Sequence, residues 1–371
     1  MVLSFYIDVE RTSRTLRAAA VAAAVTAALL PAHGGAAASP VPEPPELWVM
    51  SSDGTNQRRI APFADPGSSA PSWSPDGSRL AFTTSEGILI ADASGQASPQ
   101  PIGRGWWPAW SPDGSAIAFV RTAPPERASL AVIAPDGSNE RIVATGVASF
   151  RLVWSPDGSR IAFSKCDYDA YGRCYPVLAV VRADGTDERV LVPATVSSSV
   201  SWSPDGSSLV YAGGFRQLWV VDVVSGETTE LVPEPDGGVS PDWGSGGRIA
   251  YTGWDDGAGS PSVWLVDADG TDRVRIHTGD GPRWSPDGSR IAFVTPDGIR
   301  VLVVGTEGAP VLTPGGYQDF GPVWSPGGES IAYFSQKPFP PHWPDYTRSV
   351  SVSVTERRIR VHVDVEPGGE E

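Results

Sequence analysis

The chain's chemical stock is small: four histidines and two cysteines among 371 residues. Their spacing limits what they can do. Cys166 and Cys174 share a stretch with Tyr168, Tyr171 and Tyr175 and have no histidine nearby. A zinc-type site needs further ligands, so in an exported chain the pair reads as a disulfide. Asp267-Ala268-Asp269-Gly270-Thr271-Asp272 opens like a calcium loop, with echoes at Asp184 to Asp187 and Asp53 to Asn56. A loop of the EF-hand kind needs a bidentate Glu about six residues past the Gly. Arginine and β-forming residues follow instead, which reads as Asp-Gly hairpin turns. His277 could reach a central channel beside Asp280, or lie solvated in a loop. No Gly-x-Ser-x-Gly elbow occurs. Asp255 and Asp256 are neighbours in sequence, which does not make them a converging acid and base. The reading is of no cofactor, no metal and no catalytic residue.

The elements that carry these residues announce themselves by repetition. Trp-Ser-Pro-Asp-Gly-Ser-Arg-Ile-Ala-Phe recurs, intact or worn, from Trp73, Trp110, Trp154, Trp202, Trp243, Trp284 and Trp324. The spacings lie between 37 and 48 residues, the period of propeller blades built from short strands. At Trp154 the turn has a mechanism. Pro156 presets φ, Asp157 suits the next position, and Gly158 supplies the positive φ that releases the chain into a strand. In that strand Ile161 and Phe163 point one way and Ala162 the other. Both sides are apolar, as sheets stacked face to face require.

Each unit continues with a second pair, such as Val263-Trp264-Leu265-Val266, the turn around Gly270, then Val274-Arg275-Ile276. We call the four strands of a blade A to D. The repeats resemble the TolB-type, WD-repeat-like blades of bacterial envelope proteins, over roughly Leu47 to Tyr333. The α/β domain that precedes the blades in TolB itself has no counterpart ahead of Leu47. The fold expected is all-β: a seven-bladed β-propeller of four-stranded antiparallel blades over residues 47–335. A lone C–D pair, Leu47 to Ile60, precedes the first A–B pair and aligns without gaps on Val263 to Ile276. It should complete the blade begun at Trp324 and so remove exposed sheet edges. Ser349 to Val365 alternates strictly and reads as an added hairpin beyond a Pro-rich linker, within residues 336–371. The other solution makes that hairpin the closing pair.

Arg11, Arg14 and Arg17 precede the apolar run Ala18 to Leu30, and small residues Ala36-Ala37-Ala38 follow. This is a signal-peptide pattern over residues 1–38. The run is too short for a permanent span, so the mature chain is expected to carry no integral membrane segment. Residues 39–46 form a Pro-rich spacer. The net charge is −15, which argues against nucleic acid and anionic membrane as partners.

In a propeller the A–B and C–D turns share one face, the turn face. The B–C and D–A connections share the other, the loop face. Here the turn face is short and stereotyped, while the loop face is long and irregular, the kind of place where binding concentrates. Its candidate contact residues are Trp106, Trp107, Tyr168, Tyr171, Trp254, Asp255, Asp256, Tyr317, Asp319 and Trp343. Trp106 and Trp107 have a second reading, packing between blades. The function expected is a monomeric, exported, non-catalytic scaffold in the cell envelope that binds a protein or peptide. A propeller lyase or hydrolase, and a carbohydrate-binding propeller, are the rivals.

Overall fold

The computed structural model describes residues 2–8, 44–62, 70–121, 128–148, 152–193, 196–214, 217–233, 237–254, 260–306, 308–313, 318–336, 346–354 and 358–367. The chain divides into two units. Among the described residues no helix is long and apolar enough to cross a membrane.

The smaller unit is Met1–Pro42 with Phe339–Glu371. Its sheet has the order Val2–Asp8, Arg358–Pro367, Tyr346–Val354, all antiparallel. The last two strands are the hairpin read from the strict alternation. Val2–Asp8 lies within the segment read as a signal peptide. The apolar run and the expected cleavage region lie outside the described residues.

The larger unit, Glu43–Pro338, is the propeller. Alternation of apolar residues makes the strands, and Ser-Pro-Asp-Gly or Asp-Gly-Thr turns them. Blade 1 runs Ser72–Trp73, Arg79–Thr84, Gly87–Asp92, Gln100–Gly103. Blade 2 is Trp106–Trp110, Ile117–Arg121, Ser129–Ile133, Arg141–Thr145, and blade 3 is Val153–Trp154, Arg160–Tyr168, Cys174–Arg182, Arg189–Val192. Blade 4 is Val196–Trp202, Ser208–Gly213, Leu218–Asp222, Thr228–Val232. Blade 5 is Gly238–Trp243, Arg248–Trp254, Pro261–Asp267, Val274–Thr278. Blade 7 takes Gln318–Trp324 and Ser330–Gln336 from the end of the ring and Glu46–Ser51 and Arg58–Ala61 from its start. Leu47 pairs with Phe334 and Val49 with Ala332, so the ring closes through its N-terminal strands. Blade 6 departs from the pattern. After Asp280–Trp284, Arg290–Thr295 and Gly298–Val303 its outer strand shrinks, among the described residues, to one bridge, Arg300 with Val311. Pro310 has no N–H to give a ladder, and the Arg300 guanidinium takes the Ala309 carbonyl at 2.5 Å.

The core lies between blades. Seven clusters of buried residues occupy the seven interfaces. In six of them the Ala side of one B strand meets the Trp, aliphatic and aromatic side of the next; in blade 4 Val210 stands at the Ala position. Ala118 of blade 2 thus meets Trp154, Ile161 and Phe163 of blade 3, while Ala162, on the opposite side, meets Trp202 and Leu209 of blade 4. The small Ala makes room for the neighbour's ring, as close packing demands.

A second seam follows the signature tryptophans, and it comes in two forms. The indoles of Trp73, Trp154, Trp202 and Trp324 donate to the carbonyls of Val323, Ala109, Val153 and Arg283 at 2.9–3.1 Å. Each acceptor is the residue just before the preceding blade's own signature Trp. Where that residue is Ser72, Ser201 or Asp242, its side chain instead accepts the backbone N–H of Trp110, Trp243 or Trp284. The indole N–H groups of those three then have no hydrogen-bond partner among the described residues. One position per blade selects the form of the seam.

Candidate functional site

The turn face satisfies itself. In blade 3 the Ser155 hydroxyl donates to Asp157 at 2.5 Å and accepts the Arg160 N–H at 3.0 Å, while the Ser159 N–H closes onto Asp157 at 3.0 Å. Asp76, Asp157, Asp205 and Asp287 are all held down to about 2, first by the serine hydroxyl two residues before them. The outer turns work alike. Asp269, inside the calcium-like run, accepts both the N–H and the hydroxyl of Thr271. Asp184 and Asp53 do the same with Thr186 and Thr55. This is the chemistry of a hairpin turn.

The loop face is built by bulges. In blades 2, 5, 6 and 7 the A strand slips register, and the residue three before the signature Trp is left-handed. These are Trp107 (φ 57°), Ser240 (52°), Gly281 (61°) and Gly321 (63°). A bulge bends the strand and re-aims its side chains. Trp107 pays a strain of about 1–2 kcal/mol for a conformation glycine adopts freely. Its N–H donates to the Thr83 hydroxyl of blade 1 at 3.1 Å, and its ring packs against the blade 2–blade 3 cluster. Trp107 therefore serves the interface between blades; Trp106, beside it, is half-buried.

Two residues before each left-handed position, blades 2, 5 and 6 have Gly105, Gly238 and Gly279. A side chain there would collide with Phe119, Tyr251 or Phe293 of the same blade. Blade 7 has Asp319. Its side chain is 5% exposed, and its Oδ2 has no hydrogen-bond partner among the described residues. Burial raises its pKa more than hydrogen bonds from Ser335 and Thr313 lower it. The phenol of Tyr333 is raised as well, by burial first and by Asp319 second. Thr313 ends blade 6 and Ser335 lies in the B strand of blade 7, so the carboxyl ties two blades together. The sequence reading takes Asp319 as a candidate contact residue; the structure buries it. The signal that it is special was present as an exception to Gly105, Gly238 and Gly279.

The other candidates fall as follows. Trp254 ends the B strand of blade 5, half-buried. Asp255, Asp256, Tyr317 and Trp343 lie outside the described residues. His277 is on the outer strand of blade 5 with its ring 5.0 Å from that of Phe293. It lines a groove of about 490 Å³ between blades 5 and 6 with Ile276, Leu302 and Val304, so it does not point to the channel beside Asp280. Tyr168 and Tyr171 belong to the B–C hairpin of blade 3, where Cys166 and Cys174 form the expected disulfide. Asp169 and Arg173, not singled out from sequence, set the shape of that hairpin's tip. The candidates thus come from four separate blades of one face.

Likeness to solved structures agrees with this architecture. A putative TolB from Agrobacterium tumefaciens superposes with a TM-score of 0.54 at 20% identity, over 80% of this chain and 99% of that one. An oligogalacturonate lyase in complex with manganese gives 0.59 at 14% identity, over 80% and 97%. A puromycin hydrolase gives 0.57 at 19%, over 84% of this chain and 60% of the other. Identities this low carry the fold alone. No curated protein sequence matches significantly. The model for the TolB beta propeller domain, however, matches residues 39–211 and 117–343, which together span all seven blades, and the chain belongs to that family.

Proposed function

We propose that this chain is an exported, monomeric scaffold that binds a protein or peptide partner in the cell envelope through its loop face, without catalysis. The observation that carries the reading is the contrast between faces. The turn-face carboxylates are occupied by their own serines and threonines. The loop face presents Tyr171 and Tyr175 to solvent, and tyrosine is among the residues enriched as anchors of recognition surfaces. The disulfide suits an oxidising compartment.

A catalytic reading has one specific observation behind it, the perturbed carboxyl of Asp319, since active sites collect such groups. Burial is what raises its pKa, and the hydrogen bonds it accepts from Thr313 and Ser335 tie two blades together. Two measurements test the proposal. The mature protein should begin near Ser39; an intact mass retaining residues 1–38 would remove export from the reading. Alanine at Trp254 should weaken binding to the partner found by cross-linking in the native envelope, while alanine at Asp136 or Asp184 should not. The opposite pattern would place the site on the wrong face.

A further inference from the structure

The B–C hairpin of blade 3 is the one stretch of the described propeller that is stiffened without serving its core. Its strands, Arg160–Tyr168 and Cys174–Arg182, have nine residues each. The B and C strands of the other blades have five to seven. Beyond Ser164 and Val177 no residue of the hairpin is buried. Ordering exposed residues costs backbone entropy that burial does not repay, so an exposed extension held in one shape has to be held by something local.

Three devices hold it. The disulfide Cys166–Cys174 staples the two strands just below the tip. The base is pinned by the Cys166 N–H donating to the Gly146 carbonyl at 2.7 Å, and by the ion pair of Lys165 with Glu188. The tip, Asp169 to Arg173, is closed by the Asp169 carboxylate, whose Oδ1 accepts the N–H groups of Tyr171 (2.8 Å) and Arg173 (2.9 Å). Its Oδ2 lies 3.7 Å from the Arg173 guanidinium, which in turn stacks over the Tyr171 ring at 5.3 Å. The acid is thus spent on shaping the tip. What remains for a partner is the outer surface of Tyr171, 83% exposed, flanked by Arg173 and by Tyr175 at 43%.

We propose that this hairpin is a pre-formed knob that inserts into a concave pocket of a folded envelope protein, with Tyr171 as the anchor and the stacked Arg173 at the pocket rim. This rests on the loop-face reading above and specifies its partner. The shape decides the class. A rigid convex element gains affinity by entering a pocket, because its ordering has been completed before binding. The long CDR3 loops of nanobodies likewise insert into concave epitopes. A flexible peptide has no pocket to offer. A sugar needs convergent polar groups in a cleft, whereas the acid of this tip is turned inward.

The test uses the full chain in its native host, with a photoreactive benzoylphenylalanine at position 171, at position 254 on the same face, or at position 184 on the turn face. Irradiation at 171 should give one discrete heteromeric adduct, about tenfold or more stronger than at 184. Purified wild-type chain should compete for that adduct. Tyr171→Ala should need about tenfold more protein to do so, and Tyr171→Phe should stay within about threefold, a hot-spot aromatic being lost in one case and kept in the other. Both variants should melt with the wild type, since Tyr171 touches no core residue. An adduct at 254 with none at 171 would overturn the knob and leave the loop-face reading standing. Adducts at 184 alone would overturn that reading as well. An adduct between two copies of this chain, or equal competition by Tyr171→Ala, would overturn the assignment of a pocket-bearing partner.

Discussion

The two faces of this propeller are made by the same seven blades under opposite rules. On the turn face each Ser-Pro-Asp-Gly unit closes its own hydrogen bonds, and the same short network recurs from blade to blade. On the loop face the blades diverge, even where four of them share a bulge. One carries a bulged tryptophan, one a stapled hairpin, one a buried aspartate. Repetition frees a structure from needing unique partners, and its loss is where recognition can be written. The difference also separates two kinds of vulnerability. Turn-face changes should cost stability alone, and loop-face changes should divide between packing and binding.

The largest effect should come from Gly105→Ala. Its new methyl meets Phe119, a ring of blade 2 buried against blade 1, and overpacking of that kind costs about 1–3 kcal/mol, occasionally more. Gly114→Ala, on the turn face, meets only the Pro75 ring at an ordinary 3.5 Å. It should lose just the left-handed penalty of about 1–2 kcal/mol. Equal losses in chemical denaturation would erase the distinction between the faces. Ser155→Ala should cost about 1–3 kcal/mol by orphaning the Arg160 N–H. Partner affinity should be unmoved by it.

The binding side of the contrast is sharpened at Trp254 and Trp343. Alanine at either should weaken partner binding by about 1–3 kcal/mol, and titration calorimetry with the cross-linked partner would measure it. If Asp136→Ala or Asp184→Ala matched that loss, the faces would be equivalent in recognition.

The smallest effects concern pH, and the two faces should respond with opposite sign. The turn aspartates, at about 2 against an ordinary 3.8, favour the folded state once ionised. Their contribution is present above about pH 4 and is lost as pH falls toward 2. Asp319 is raised above 3.8. The folded state there holds its proton more tightly, so stability declines as pH climbs through the interval above 3.8. Asp319→Asn should therefore raise the melting temperature at neutral pH and do so less in acid. Asp157→Asn should flatten the acid limb instead. Melting curves from pH 2 to 8 that shift alike for both variants would contradict the assigned environments.

Much of this was legible in the residues. Trp154 to Phe163 contains its own turn, its strand and both faces of that strand. The alignment of Leu47 to Ile60 on Val263 to Ile276 foretold which strands close the ring. These are local properties: a proline's φ, a glycine's freedom and a period of two act within a few residues, so sequence alone determines them. Even the form of the tryptophan seam hangs on one residue per blade, Ser72 or Ala109. Its meaning shows only when the next blade stands against it.

What tertiary structure decided was where polar and aromatic side chains ended up. Trp107, Tyr171 and Asp319 look alike in sequence, residues of loop-face connections, two from D–A and one from B–C. One packs between blades, one stands in solvent, and one is buried beside Tyr333. Burial depends on atoms supplied by strands far away in the chain: Thr83 and the blade 2–blade 3 cluster for Trp107, Thr313 and Ser335 for Asp319, nothing for Tyr171. A side chain's environment is the sum of such non-local contributions, and no window of sequence contains them.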